Sequence, residues 1–186
     1  MNYHNITYPD MNNGDGLRVV LWLSGCSHHC YNCQNPQTWD VNSGIPFDES
    51  AKEELFRELD KDYISGLTLS GGDPLHEANL DDVLDLVNEI RLSFPNKSIW
   101  LYSGFRWEEC QPFNEDGLLK PDKFAPNLQK ILHKRYEVIS MCNVMVDGRY
   151  IDSQRNPSKK FAGSDNQRVI SIQESIEQGK VVLYCD

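Results

Sequence analysis

The stretch "RVVLWLSGCSHHCYNCQN", residues 18–35, joins a short apolar run to a cluster of three cysteines. The run at 18–24 has the near-continuous apolarity of a strand buried on both faces of a sheet. Cys26, Cys30 and Cys33 follow it directly, in C-x3-C-x2-C spacing. The stretch therefore predicts a buried strand whose carboxyl end carries a metal or redox site.

Apolar runs alternate with amphipathic segments along the rest of the chain. This alternation predicts an α/β fold of right-handed βαβ units, with helices outside a mostly parallel sheet. Either an open doubly wound sheet or a partial (β/α) barrel satisfies the pattern. The further strands are predicted at 66–70, 98–103, 138–146 and 168–171, and the helices at 48–62, 79–94 and 126–136.

Composition limits the class of protein. The 186 residues and the 39% hydrophobic content predict a single domain, 1–186, with 106–128 as a loop insertion and 171–186 as a tail. The net charge of -10 argues against a nucleic-acid partner, because such partners are held by clustered Lys and Arg. Without a long apolar run or a signal-peptide pattern, we expect no membrane segment and a cytoplasmic location.

Polar, Gly-rich segments follow the predicted strands. "GCSHHCYNC" follows the first strand, "GGDP" the second, "GF" the third and "DGRY" the fourth. In parallel α/β folds, chemistry gathers at the carboxyl ends of the strands. These segments are therefore expected to build one site.

The cysteine cluster allows three interpretations. A thioredoxin-like pair of Cys30 and Cys33 leaves Cys26 without a role. A zinc site would need His28 or His29 as its fourth ligand, and both lie inside the loop whose cysteines must already converge. We favour a 4Fe-4S cluster with three thiolates and one open iron, and a supporting rather than a ligating role for the histidines.

The other three cysteines are scattered along the chain. In a reducing compartment none of them is expected to form a disulfide. We predict that they are buried or idle thiols, since free Cys usually behaves as a small hydrophobe. They are Cys110, Cys142 and Cys185.

The C-x3-C-x2-C motif resembles the signature of the radical S-adenosylmethionine enzymes. That signature often has an aromatic residue directly before its last cysteine, whereas here Asn32 holds that place and Tyr31 precedes it. The chain also resembles, block by block, the activating proteins of anaerobic ribonucleoside-triphosphate reductase, a family of glycyl radical enzyme activases. The similar blocks are "NGDGLRVVLWLSGC" (13–26), "TLSGGDPL" (68–75), "IWLYSGF" (99–105), "VMVDGRY" (144–150) and "GSDNQRVI" (163–170).

The resemblance implies an oxidoreductase with a radical S-adenosylmethionine type of partial (β/α) barrel. Its 4Fe-4S cluster would reductively cleave S-adenosyl-L-methionine, and the 5'-deoxyadenosyl radical would abstract hydrogen from a glycine of the reductase large subunit. The implied electron donor is a flavodoxin-type protein. The implied cluster ligands are Cys26, Cys30 and Cys33, and the implied cofactor-binding residues are Asn32, Cys33, Gln34, Gly71, Gly72, Asp73, Ser103 and Asp147.

Within the implied site, Gly71 and Gly72 would let the backbone approach the cofactor's amino group, and Asp73 would help to hold that cation. Asn166 and Arg168 match the last block without a derivable role. For Arg18 and Arg168 alike, we expect either a carboxylate partner or a place at the rim of the sheet.

Two alternatives stay open. The protein could activate another glycyl radical enzyme, such as pyruvate formate-lyase, or be a radical enzyme that acts on a small molecule. From a different class, it could be a non-catalytic zinc-binding or electron-transfer module.

Overall fold

The apolar runs of the sequence form the centre of a large sheet. The computed structural model describes residues 1–112 and 127–185, and in these residues it has eight strands and five α-helices. The strands are β1 (Asn2–Asp10), β2 (Leu17–Leu23), β3 (Ile45–Pro46), β4 (Ile64–Gly71), β5 (Ser98–Tyr102), β6 (Val144–Asp147), β7 (Arg168–Ser171) and β8 (Leu183–Cys185). The helices are α1 (Glu49–Leu59), α2 (Leu80–Ser93), α3 (Trp107–Cys110), α4 (Leu128–Ser140) and α5 (Ile172–Gln178).

The sheet is open, and its order is β3-β1-β2-β4-β5-β6-β7-β8. The four central strands, β2, β4, β5 and β6, are parallel, which confirms the predicted βαβ units. The outer strands on both sides pair antiparallel. The expected barrel is therefore not seen: β3 and β8 are free edges of one mixed sheet in the described chain.

Helices cover one face of the sheet. The main core joins alternate residues of the central strands to the apolar sides of α1, α2, α4 and α5, with Leu21, Leu69 and Leu101 fully buried. Asp48 caps α1 by accepting a hydrogen bond from the backbone of Ala51. Within residues 1–112 and 127–185, none of the helices combines the length and the apolarity that a membrane crossing requires.

The opposite face of the sheet carries a buried arginine. Arg18 in β2 is fully buried and donates to the hydroxyl of Thr68 at 2.7 Å, the carbonyl of Leu67 at 2.5 Å and the carbonyl of Ser98 at 3.0 Å. Its guanidinium also lies 5.4 Å from the ring centroid of Trp100. Burial lowers the pKa of Arg18 to about 10. The expectation of a carboxylate partner or a rim position is wrong here, because neutral acceptors on β4 and β5 satisfy the cation and tie three strands together.

Several element boundaries differ from the sequence prediction. The strand predicted at 138–146 begins only at Val144, because Val138 and Ile139 are buried on the last turn of α4. Periodicity alone does not separate a buried helix end from a strand in such a run. The segment predicted as a tail, 171–186, contains α5 and the edge strand β8.

The predicted insertion at 106–128 begins with the short helix α3, whose residues Trp107 and Cys110 are buried. Most of the remainder lies outside the described residues. The thiols of Cys110 and Cys142 are buried, as predicted, and burial raises the pKa of each, for Cys142 to about 12.

Removing core volume from the central strands should be costly. We expect Leu69→Ala to lower the free energy of unfolding by about 2–5 kcal/mol, because Leu69 is fully buried in β4. The matched control is Leu92→Ala, a leucine that is 85% exposed, which should change the free energy by no more than about 0.5 kcal/mol. Urea unfolding of both variants measures the difference, and equal values would contradict the assignment of this face to the core.

Candidate functional site

A cavity of about 560 Å³ opens at the carboxyl ends of the central strands. Cys26, Cys30 and Cys33 all line it, as do the strand-end segments that follow β4 and β5. The polar segments that the sequence places after the strands thus meet at one site, as expected for this class of fold. The predicted residues that line the cavity are Cys26, Cys30, Cys33, Gln34, Gly71, Gly72, Asp73 and Ser103.

The cysteine loop is held by backbone hydrogen bonds and by unusual dihedral angles. The N–H of Cys26 donates to the carbonyl of Trp39 at 3.0 Å, and the N–H of Cys33 donates to the carbonyl of Cys30 at 3.1 Å. His29 and Asn32 have left-handed φ values of 47° and 54°. Such residues cost on the order of 1–3 kcal/mol each and concentrate at functional sites.

One cysteine of the cluster receives a backbone hydrogen bond at its sulfur: the N–H of Asn35 donates to Cys33 at 3.3 Å. Hydrogen bonds to cysteine sulfurs are one of the means by which proteins tune iron-sulfur clusters. Burial raises the pKa of the Cys26 thiol to about 11 and also raises that of Cys30. Free thiols with this donor set around one cavity fit a cluster held by three cysteines.

The side chains of both histidines in the cysteine loop have partners within the protein. His28 Nε2 donates to Asp73 Oδ2 at 2.8 Å, and the ring of His29 lies 4.7 Å from the ring of Trp39. In the part of the chain that the structure describes, no three or more His, Cys, Asp or Glu side chains are arranged to hold one metal ion. The three thiols of a 4Fe-4S site each bind a different iron, so such a site does not require its cysteines to share one ion. His28 supports the carboxylate of Asp73.

The Gly-Gly motif brings the end of β4 against the start of the cysteine loop. A Cβ on Gly72 would lie 2.6 Å from the carbonyl oxygen of Gly25, and Gly71 has a φ of 92°. The N–H of Gly72 donates to the carbonyl of Leu23, and that of Asp73 to the carbonyl of Gly25, each at 2.7 Å. Glycine at 72 is therefore required by the chain itself, before any ligand is considered.

Two predicted cofactor residues lie outside the cavity lining. The side chain of Asn32 donates to Asp152 at 3.2 Å. Asp147 is 1% exposed, and its carboxylate accepts hydrogen bonds from Arg168 at 3.0 and 2.5 Å and from the backbone of Trp107 at 2.8 Å. The neighbours of Asp147, Gly148 and Arg149, do line the cavity.

Arg168 has the carboxylate partners that were expected for it. It bridges Asp147 on β6 and Glu108 on α3, and these contacts raise the pKa of Arg168 and lower that of Glu108. Asn166 donates to the carbonyl of Arg149 at 2.8 Å. The block "GSDNQRVI" thus braces the end of β6 and the connection that follows it.

The connection between β6 and β7 forms a wall of the cavity that the sequence prediction missed. It contributes Arg149 and Tyr150 directly after the strand, and Lys159, Phe161 and Gln167 further along. Only the position of "DGRY" after a strand signalled this wall. Its later residues reach the cavity because the connection folds back on itself, through a bridge between Arg155 and Ser164.

A side chain at Gly72 should displace the cysteine loop. We expect Gly72→Ala to destabilise the protein and to lower its iron content after reconstitution, because the new Cβ meets the backbone of Gly25. Gly148→Ala is the control: it lines the same cavity with a φ of 92°, but its Cβ would meet nothing closer than 3.8 Å. It should cost only the backbone strain of about 1–2 kcal/mol. Thermal unfolding and iron analysis compare the two, and equal iron contents would contradict the prediction.

Comparison with known proteins agrees with this site. A family model described as a 4Fe-4S single cluster domain matches residues 12–170. The chain is 37% identical over 171 residues to the anaerobic ribonucleoside-triphosphate reductase-activating protein of Escherichia coli K12, covering 91% of this chain and 97% of that protein. The protein of the same name from enterobacteria phage T4 is 36% identical over 177 residues, covering 95% and 97%. That of Vibrio cholerae is 34% identical over 169 residues, covering 90% and 96%. The chain belongs to the family of anaerobic ribonucleoside-triphosphate reductase-activating proteins.

Proposed function

We propose that this protein is a radical S-adenosylmethionine enzyme that generates a glycyl radical on an anaerobic ribonucleoside-triphosphate reductase. The observation that carries the proposal is the meeting of three free cysteines with the Gly-Gly strand end at one cavity. The names of the relatives support the choice of the reductase as protein substrate.

Cys26, Cys30 and Cys33 would hold the 4Fe-4S cluster and leave one iron for the cofactor. A cluster held there would supply, in its reduced state, the one electron needed to split S-adenosylmethionine into methionine and a 5'-deoxyadenosyl radical. The protein's own part is to position the cofactor and to exclude water. The backbone N–H of Asn35, which donates to the sulfur of Cys33, would supply part of the environment that sets the cluster potential.

The cofactor would lie between the cysteine loop and the ends of β4 and β5. The cavity volume of about 560 Å³ is within the usual range of small-molecule sites. Gly71 and Gly72 present backbone there, and Gln34 and Ser103 present polar groups. The negative charge of Asp73 at the cavity wall favours the cofactor's amino group.

Asn32 and Asp147 would contribute to cofactor binding indirectly, by setting the course of the neighbouring backbone. Asn32 lies next to the cluster ligand Cys33, and its left-handed φ sets the direction of the chain there. Asp147 holds the start of the β6–β7 connection, so that Gly148 and Arg149 face the cavity where the ribose would lie.

The reductase would present its glycine from the face of the sheet that the helices leave uncovered. The open sheet supports this access, and we propose that it corresponds to the partial barrel of the radical S-adenosylmethionine enzymes.

We further propose a flavodoxin-type electron donor and a cytoplasmic location. In the described residues no disulfide joins any two of the cysteines, in keeping with a reducing compartment.

Loss of any one cluster ligand should abolish cofactor cleavage. We expect no 5'-deoxyadenosine from Cys26→Ala, Cys30→Ala or Cys33→Ala after anaerobic reconstitution with iron, sulfide and dithionite, because the cluster would lose a thiolate. Cys185→Ala, at the far edge strand, is the control and should retain cleavage. The same assay with the reductase present, read by EPR, should show a glycyl radical only where cleavage occurs. Retained cleavage in the Cys30 variant would refute the ligand assignment.

A further inference from the structure

The side chain of His28 is buried in a slot at the centre of the site. It is 3% exposed, and its ring lies edge-on to Phe105 with centroids 4.4 Å apart. A Cβ on Gly104 would lie 2.2 Å from His28 Cδ2, so only glycine at that position leaves room for the ring. The imidazole is therefore closely packed on two sides, by Phe105 and by Gly104.

His28 donates a hydrogen bond to the carboxylate of Asp73, which also accepts hydrogen bonds from other segments of the chain. Asp73 is 2% exposed and accepts from His28 Nε2 at 2.8 Å, from Ser103 Oγ at 2.9 and 3.0 Å, and from the backbone N–H groups of Gly104 at 3.0 Å and Leu75 at 2.9 Å. A carboxylate can only accept, so His28 must donate through Nε2. The bond thus joins the cysteine loop to the groups that follow β4 and β5.

His28 is itself part of the cysteine loop and lies between Cys26 and Cys30 in the sequence. Its side chain is held by Asp73. Asp73 directly follows Gly71 and Gly72, whose backbone is the proposed seat of the cofactor's amino group. His28 therefore connects the cysteines that would hold the cluster to the backbone that would hold the cofactor.

We propose that His28 is a positioning residue that fixes the distance between the cysteine loop, residues 26–33, and the backbone of Gly71 and Gly72. This inference rests on the proposed function. His28 also lines the cavity, and the role proposed here lies in its hydrogen bond to Asp73. It acts by keeping the cysteine loop in register with the strand ends, so that the cysteines that would hold the cluster stay beside the backbone that would hold the cofactor. A displacement of about 1 Å in such a site can lower reactivity by about 100-fold.

Three variants isolate the hydrogen bond. His28→Phe keeps an aromatic ring in the slot but removes the donor to Asp73. His28→Gln retains an N–H donor of similar reach. The matched control is His29→Phe, the adjacent histidine, whose ring contacts Trp39 and not Asp73. If His28→Phe does not fold, His28→Asn replaces it, because its shorter side chain does not reach the carboxylate.

The first measurement needs no cluster. Amide hydrogen exchange is followed in the full-length protein before reconstitution, across residues 26–33. Local opening governs such exchange, so His28→Phe should speed it by about 10-fold, while His28→Gln and His29→Phe stay close to the wild type. Exchange in α2, on the other face of the sheet, serves as the internal reference.

The second measurement uses the reconstituted protein. S-adenosylmethionine is titrated into the dithionite-reduced protein, and the change in the EPR signal of the cluster gives the cofactor's apparent Kd. We expect His28→Phe to retain iron and sulfide but to bind the cofactor about 10-fold more weakly, and His28→Gln to restore the affinity. A residue that only supported the fold would alter the melting temperature without this selective change.

The outcomes separate the two hypotheses. Exchange or affinity in His28→Phe equal to that of His29→Phe would overturn the positioning role, and so would a His28→Gln variant as impaired as His28→Phe. A wild-type cluster whose EPR signal does not respond to S-adenosylmethionine would instead refute the proposed function. In that case the exchange data alone would decide whether His28 anchors the loop.

Discussion

The buried carboxylate of Asp73 is the constraint on which the site depends. A carboxylate removed from water must receive hydrogen bonds, and four donor groups from three separate segments supply them. Because these segments are the cysteine loop and the turns after β4 and β5, satisfying one charge also aligns three walls of the cavity. The walls of the cavity beside the cysteines are therefore aligned by hydrogen bonds within the protein.

Two arginines of the sheet, Arg18 fully buried and Arg168 partly exposed, have opposite kinds of partner. Arg18 is surrounded by hydroxyls and carbonyls, and burial lowers its pKa. Arg168 lies between two carboxylates, which raise its pKa. The first ties the amino-terminal ends of the central strands together. The second braces β6, β7 and α3, and so supports the connection that forms the far wall of the cavity.

Much of the fold could be read from the sequence, because the central strands are continuous apolar runs and α1 and α2 have clear helical periodicity. The prediction failed where that signal is weak. The strand β1 is largely polar and half-exposed, and β8 is a short edge strand, so neither shows the pattern of a buried strand. The antiparallel pairing at both sides of the sheet, which the sequence did not predict, depends on these same segments.

The candidate site, like the fold, could be predicted from the sequence only in part. Cys26, Cys30 and Cys33 are recognisable because ligand spacing is local in sequence, and Gly71 and Gly72 stand out because a strand that ends in two glycines needs a close approach. The position of the His28 side chain could not be predicted from the sequence. It depends on Asp73, 45 positions away, and on Gly104 and Phe105, which follow another strand. The sequence by itself determined the spacing of the candidate ligands and the succession of the parallel central strands and their helices. Only the tertiary structure decided which donors reach Asp73 and which residues face the cavity, because those contacts depend on the register of strands far apart in the chain.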